Sequence, residues 1–456
     1  MRALPAIIAI IVVIVAAVFV ADHPGTVDIT YGRWVIGTSL GVAALSVAGA
    51  ALVLALLWMV ARMLMRGPGT WSRARRERRR RDGYRALTQG MVAVAAGDAE
   101  EAQKLARKAD TLLAEPPLTL LLSAQAAQLN GDEGAARRYF HAMLERAETE
   151  FLGLRGLVMQ ALRAGDEAAA IGLVERAKAL RPRTPWVMSH LLELQARAGR
   201  WRDAEATLIE ATKRKVLSAA TSRHRHAVLL LQDSKAAEEA GRASDAMRLA
   251  GKAHAIEPSF APVAARYGRM LGARGQMRRA RRALEAAWRA APHPDIAAAY
   301  RAIHADEPVL ERMKRMERLA AFAAEHVESR IALATSALEA KLWGEARRHL
   351  GAALPEGEER APPRVSRLMA EIEMAEHEDH AAARTWLARA AAASVPDAAW
   401  VCEACGGESA TWTPLCGQCR SFATLSWRGP ERATEPRPLI DRGAYAASLA
   451  LPSPRP

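Results

Sequence analysis

Gly131-Asp132-Glu133-Gly134-Ala135-Ala136 is answered 34 residues later by Gly165-Asp166-Glu167-Ala168-Ala169-Ala170. Working outward, the glycine of this pattern recurs at Gly97, Gly131, Gly165 and Gly199. After an insertion of eight residues it resumes at Gly241 and Gly275, again 34 apart. Five residues after each glycine stands an alanine: Ala102, Ala136, Ala170, Ala204, Ala246 and Ala280. A glycine ends the first helix of each pair, where a left-handed backbone costs it little. The acid after several of them (Asp98, Asp132, Asp166) can cap the next helix. The alanine lets two helices approach closely. A second small position follows seven residues on, at Ala109, Ala177, Ala211, Ala253 and Ala287. Pro182, Pro258 and Pro292 stop helices at the ends of units. A 34-residue period of this kind predicts a stacked helix–turn–helix array.

These residues resemble the tetratricopeptide repeat family over six units, 83–292. Trp343 and Ala346 repeat Trp201 and Ala204 with a register slip of two, and 361–395 read as a final helical pair. The array is therefore expected over 83–395, and the fold class is all-α. Half the residues are hydrophobic but only 5% are aromatic, which suits alanine-rich helix packing and excludes an all-β core. The first helices of such an array form a concave face that commonly holds a peptide or protein. Gln89, Gln125, Gln128, Arg155, Gln160, Arg163, His190 and Gln195 are its polar candidates, each weighed against a plain solvated face.

Two uncharged apolar runs precede the array, Leu4–Ala21 and Val35–Val60, each long enough to cross a bilayer. They are read as a two-helix membrane hairpin within 1–61, with Trp34 and Trp58 as interfacial anchors. No clear small-x-small site precedes Asp22, so the first run is read as an uncleaved anchor rather than a signal peptide. The loop between the runs carries a single arginine, Arg33. A basic juxtamembrane segment, 62–82, follows, and includes Arg73, Arg75, Arg76, Arg78, Arg79, Arg80 and Arg81. This asymmetry predicts a periplasmic loop and a cytoplasmic array. The same arginines are candidates for contact with anionic headgroups, against a reading as topology signal alone. Half of the net charge of +14 falls there. No aromatic platform is interleaved with the run, so nucleic acid is not expected as a partner.

All four cysteines fall within 396–428 as Cys402-x2-Cys405, ten residues, Cys416-x2-Cys419. Paired Cys-x-x-Cys knuckles make a four-thiolate tetrahedral site. Gly406 and Gly417 are expected to permit the tight turns, and Trp400, Trp412 and Trp427 to cover the small core. Metal binding would supply most of the folding energy of so short a segment. Zinc is the expected metal; iron would bind the same sulfurs and make a redox site. The module looks like a zinc ribbon or rubredoxin-like knuckle pair. His224 and His226 in the inserted stretch, and His377 and His380 in a turn, are read as surface histidines in loops. The Pro- and Arg-rich tail, 429–456, is expected to be disordered. There is no nucleophile elbow, Walker A loop, dinucleotide fingerprint or His-Glu-x-x-His, so an enzyme is not expected.

Asp22-His23-Pro24-Gly25-Thr26-Val27, Thr30-Tyr31-Gly32-Arg33-Trp34 and Arg78–Gly90 resemble the HemY N-terminal family. The resemblance implies a bacterial inner-membrane protein with a basic juxtamembrane helix and cytoplasmic repeats, linked to late haem biosynthesis. Its expected role is a non-catalytic scaffold whose partners are enzymes of that pathway. The family shares its name with an unrelated protoporphyrinogen oxidase, whose flavin motif this chain lacks. The layout of anchor, repeats and rubredoxin-like tail is also similar to the lipopolysaccharide assembly protein B family, which implies an envelope-assembly adaptor instead.

Overall fold

The computed structural model describes residues 18, 25–113, 116–353, 362–393 and 396–429. The expected first span, 4–21, and the tail beyond Gly429 lie outside the described residues. The chain divides into two compact units at Ala136.

The N-terminal unit contains a feature that the sequence reading took for loop and span. Thr26–Tyr31 (β1) and Trp34–Ser39 (β2) pair antiparallel, Tyr31 opposite Trp34, around Gly32 at φ 62°. The run expected to span from Val35 therefore starts as strand. Its helix begins at Leu40 and continues without a break to Ala96. Leu40–Arg62 is the stretch long and apolar enough to cross a membrane among the described residues, with mean hydropathy 2.5 and no buried residue. Arg75, Arg76, Arg78, Arg79, Arg80 and Arg81 are exposed further along the same helix. Its last turns, with buried Ala86, Leu87 and Ala93, pack on the helix Ala99–Leu112, which buries Ala102, Leu105 and Ala109.

The repeat chemistry is as the spacing predicts. All six ladder glycines adopt left-handed φ values of 70–78°. Asp98, Asp132 and Asp166 accept from the backbone N–H three residues on, at 2.8–3.0 Å. Ala102, Ala136, Ala170, Ala204, Ala246 and Ala280 are all 0% exposed. In the C-terminal unit the helices Glu150–Arg163 and Glu167–Leu180, Pro185–Arg197 and Trp201–Lys213, Ala219–Glu239 and Ala243–Ile256, and Ala261–Ala273 and Met277–Ala290 form successive pairs. Pro294–Ala302 and Val309–Ala320 follow, then Val327–Glu339 with Trp343–Ala353, and Pro363–His377 with His380–Ala392. Ala346 is again fully buried. The left-handed turn before it falls to Lys341, at φ 57°.

One unit breaks the small-residue rule. Met143 replaces the second alanine, and Phe140 fills the space beside it, both buried. The facing helix compensates with glycines. A Cβ at Gly153 would stand 2.7 Å from the Phe140 carbonyl oxygen, and one at Gly156 would enter the Phe140 ring. The eight-residue insertion is not a loop. It lengthens a first helix to the 21 residues of Ala219–Glu239, so His224 and His226 are helical. They are paired as well: His224 Nδ1 lies 2.9 Å from Glu257, and His226 Nε2 lies 2.9 Å from Glu205. Gln160 and Gln195 are each only 4% exposed, which removes them from the solvated face. Gln195 Oε1 accepts from Thr207 at 2.8 Å. The all-α description holds apart from β1–β2 and a small sheet near the C-terminus.

Two substitutions test this packing. Gly156→Ala should destabilise the chain by about 1–3 kcal/mol through overpacking against Phe140. Lys341→Gly should stabilise it by about 1 kcal/mol, because glycine tolerates the left-handed turn that lysine strains to adopt. Denaturant unfolding of the full chain in detergent reads both; equal midpoints would count against each account.

Candidate metal centre

The C-terminal sheet holds Ala399–Cys402 (β3), Glu408–Ser409 (β4) and Leu425–Arg428 (β5), in the order β4-β3-β5, all antiparallel. Cys402 ends β3, and Cys405 follows in the first knuckle. The second knuckle presents Cys416 and Cys419. All four sulfurs lie within 4.8 Å of one another. Cys402–Cys419 and Cys405–Cys416 are each 3.7 Å apart. A tetrahedron with zinc–sulfur arms of about 2.3 Å has edges of about 3.8 Å, so the set fits a metal ion and is too open for disulfides.

The knuckles repeat one geometry. Gly406 N–H donates to the Cys402 carbonyl at 2.8 Å, and Arg420 N–H donates to the Cys416 carbonyl at 2.9 Å. Gly406 is left-handed, as expected. Gly417 is not; the equivalent strained position of the second knuckle is Arg420, at φ 57°. Gln418 N–H donates to the Cys416 sulfur at 3.4 Å. Burial opposes ionisation of Cys416, but the Cys419 and Gln418 N–H groups, together with the Cys405 and Cys402 thiols, bring it down to about 7. Burial pushes the Cys405 thiol up to about 12.

The sequence reading missed what the tryptophans do. They do not close a private core; they join the module to the array. Trp400, Cys402, Cys416, Phe422 and Leu425 share one hydrophobic cluster with Leu192, Leu208, Val228, Leu231 and Phe260. The contacts come from Pro185–Arg197 and Ala219–Glu239, from the turns before Ala261–Ala273 and Pro294–Ala302, and from Pro363–His377. Phe422 N–H donates to Glu193 at 2.8 Å, and Arg197 Nε donates to the Arg420 carbonyl at 3.2 Å. Lys235 stands 5.6 Å from the Trp412 ring centre. Phe260 meets Trp412 edge-on at 5.4 Å. His293 lies against Trp400 at 5.2 Å and Trp427 at 4.3 Å. Asp397, just before β3, accepts from the Arg364 N–H at 2.8 Å and pairs with Arg367. Burial raises the Glu193 carboxyl above its ordinary range, opposed by the Phe422 N–H and by Arg197. Burial, then the nearby Arg364 guanidinium, brings His293 down to about 4 from 6.5.

Residues 25–131 match the family model described as the HemY protein N-terminus, so the resemblance read from the loop and the arginine run is shown for that segment. The chain is 33% identical over 261 residues to the probable magnetosome protein Mms48 of Magnetospirillum gryphiswaldense, covering 56% of each chain. It is 29% identical over 193 residues to Protein HemY of Escherichia coli K12, covering 41% of this chain and 48% of that one. The chain thus spans about half the length of the curated relatives it matches. Solved structures that it is similar to include Naa15/Naa10 bound to HypK-THB, at 16% identity and TM-score 0.42 over 68% of this chain and 50% of that one. The TPR2AB domain of yeast Sti1 in its pHSP90 complex gives 14% identity and TM-score 0.26, over 68% and 98%.

Because the module's core is shared with the array, Cys405→Ser or chelation should raise amide exchange in Pro185–Arg197 and Ala219–Glu239 as well as in 399–428. Exchange confined to the module would refute the shared core. The neutral His293 sets a second expectation. Its folded pKa is depressed, so below 6.5 the unfolded chain takes up a proton that the folded chain does not. Stability should therefore fall as pH drops from 6.5 to about 4, by up to about 3 kcal/mol. Thermal unfolding of His293→Gln beside the parent, in the same buffers, should show a shallower slope; parallel slopes would contradict it.

Proposed function

We propose that this protein is a membrane-anchored, non-catalytic scaffold on the cytoplasmic face of a bacterial inner membrane, and that it holds enzymes of late haem biosynthesis near the bilayer. The observation that carries the reading is the single helix Leu40–Ala96. An apolar stretch of membrane-spanning length, an exposed arginine run and the first helix of the repeat array lie on it in that order. The arginines follow the span, which supports a cytoplasmic array. The link to haem rests on the HemY resemblance of residues 25–131. Tethering raises the local concentration of whatever the array holds, which matters when an intermediate is apolar and reactive.

Cys402, Cys405, Cys416 and Cys419 are proposed as the ligands of a structural zinc ion. A closed four-thiolate set that shares its core with a helical array supports a structural role, with no open position for substrate. Arg73, Arg75, Arg76, Arg78, Arg79, Arg80 and Arg81 are proposed to meet anionic lipid.

Crosslinking of the full chain in native membranes should recover late tetrapyrrole enzymes, and a deletion strain should accumulate porphyrin precursors. Normal porphyrins with no such enzyme recovered would refute the assignment; altered lipopolysaccharide instead would favour an envelope adaptor. Purified protein should be colourless and contain one zinc per chain. A visible thiolate–iron absorption would replace zinc with iron and make the module a redox site.

A further inference from the structure

β1 and β2 form a two-stranded sheet of their own. Opposite residues of an antiparallel pair share a face, and successive residues alternate between faces. The register, with Val27 opposite Thr38, Ile29 opposite Ile36 and Tyr31 opposite Trp34, therefore places these six residues on one face. Thr26, Asp28, Thr30, Val35, Gly37 and Ser39 fall on the other. A Cβ at Gly37 would stand 2.9 Å from Asp28 Oδ1, so the Asp28 carboxylate lies across Gly37 on that second face. Thr26, Asp28, Gly37 and Ser39 are exposed. The first face is apolar and aromatic apart from Thr38 and carries no charge; the second is polar apart from Val35 and Gly37.

A lone two-stranded hairpin is marginal in water, so an apolar face of this kind needs a cover. The continuity of the chain indicates which. β2 ends at Ser39, and the apolar stretch Leu40–Arg62 starts at the next residue. Leu40 N–H donates to the Gly25 carbonyl at 2.8 Å, which fastens the other end of the hairpin to the same point. The 23 residues of that stretch rise about 35 Å, a little more than a hydrocarbon core of about 30 Å. Leu40 thus stands at the boundary of the core, and both ends of the hairpin stand there with it. Strands of six residues are about 20 Å long. Lying flat, the hairpin keeps that whole length in the interface; standing upright, it would carry Tyr31 and Trp34 out into water. Tyrosine and tryptophan are the residue types enriched at the interface. A second copy or a soluble partner would have to compete with lipid that the span already brings to this face.

We propose that the hairpin Thr26–Ser39 is an interfacial anchor. It lies flat on the bilayer at the end of the span opposite the arginines, with the face of Val27, Ile29, Tyr31, Trp34 and Ile36 on the lipid and the face of Asp28 toward water. Its partner is the headgroup and upper acyl layer, bound through apolar area without a requirement for one lipid species. The anchor fixes the depth of the helix Leu40–Ala96. The span cannot sink without drawing Asp28 toward hydrocarbon, and it cannot rise without baring the apolar face to water. The proposal rests on the membrane reading above and goes beyond it, because it assigns a second, non-spanning element to the membrane.

The test uses the full chain in phosphatidylcholine–phosphatidylglycerol nanodiscs doped with a phospholipid that carries a diazirine high on its acyl chain. After photolysis, tandem mass spectrometry locates the lipid adducts residue by residue. Adducts should fall on Val27, Ile29, Tyr31, Trp34 and Ile36 severalfold more often than on Thr26, Asp28, Thr30 and Ser39. Ile29→Asp should remove most hairpin adducts and leave those in Leu40–Arg62 at the parent level, whereas Thr30→Asp, on the other face, should change neither. Equal labelling of both faces, or hairpin adducts unchanged by Ile29→Asp, overturns the proposal. An unlabelled hairpin beside a labelled span overturns it too and leaves the membrane reading standing. A span without adducts would refute that reading itself and the anchor with it. Discs that hold one chain are compared with discs that hold two: a face labelled in the first and protected in the second would assign it to a second copy and overturn the lipid.

Discussion

The structure depends on the close approach of paired helices across a buried alanine. That contact has no polar component and little area, so its geometry is unforgiving: one methylene too many pushes the helices apart. The alanines five residues after the ladder glycines are therefore all sealed from solvent. Where the chain uses Phe140 and Met143 instead, the facing helix gives up side chains altogether at Gly153 and Gly156. Volume is conserved across the contact while its distribution between the helices changes.

The same constraint explains the cysteine module. About thirty residues with three short strands cannot bury enough surface to fold alone. Metal ligation by the four cysteines would offset part of the deficit. The array offsets the rest by lending Leu192, Leu231 and Phe260 to a common cluster. A module that packs on Pro185–Arg197 and Ala219–Glu239, both first helices of their pairs, occupies part of the face that such arrays usually offer to partners.

This division of labour was only half legible in the sequence. The glycine ladder, the caps and the buried alanines are local signals, set by residues within one turn of each other, and they read correctly. The four sulfurs were legible for the same reason. The docking of Phe422 on Glu193 joins positions 229 apart in the chain, and no local pattern encodes it. A signal was present all the same: three tryptophans are more apolar surface than a thirty-residue knuckle pair can enclose. His224 and His226 were misplaced because an eight-residue insertion looks like a loop when only periodicity is followed, although two extra helical turns fit it as well. The hairpin Thr26–Ser39 was missed because its apolar second strand runs into the span. The alternation in Thr26-Val27-Asp28-Ile29 and the Gly32-Arg33 turn were its available signs.

The arginine run is where sequence and geometry disagree about mechanism. A straight helix rises about 1.5 Å per residue, so Arg75 stands about 20 Å beyond Arg62 along the axis. Surface potential decays within about 8 Å at physiological ionic strength. Along a perpendicular helix, then, most of Arg75–Arg81 would feel little of the lipid charge and would act only by fixing orientation. Direct lipid contact requires the helix to turn toward the membrane plane between Arg62 and Arg75. Gly67-Pro68-Gly69 sits in that interval, and Pro68 removes a backbone donor from the helix there. Lipid contact and orientation alone are thus told apart by the direction that the helix takes between Arg62 and Arg75.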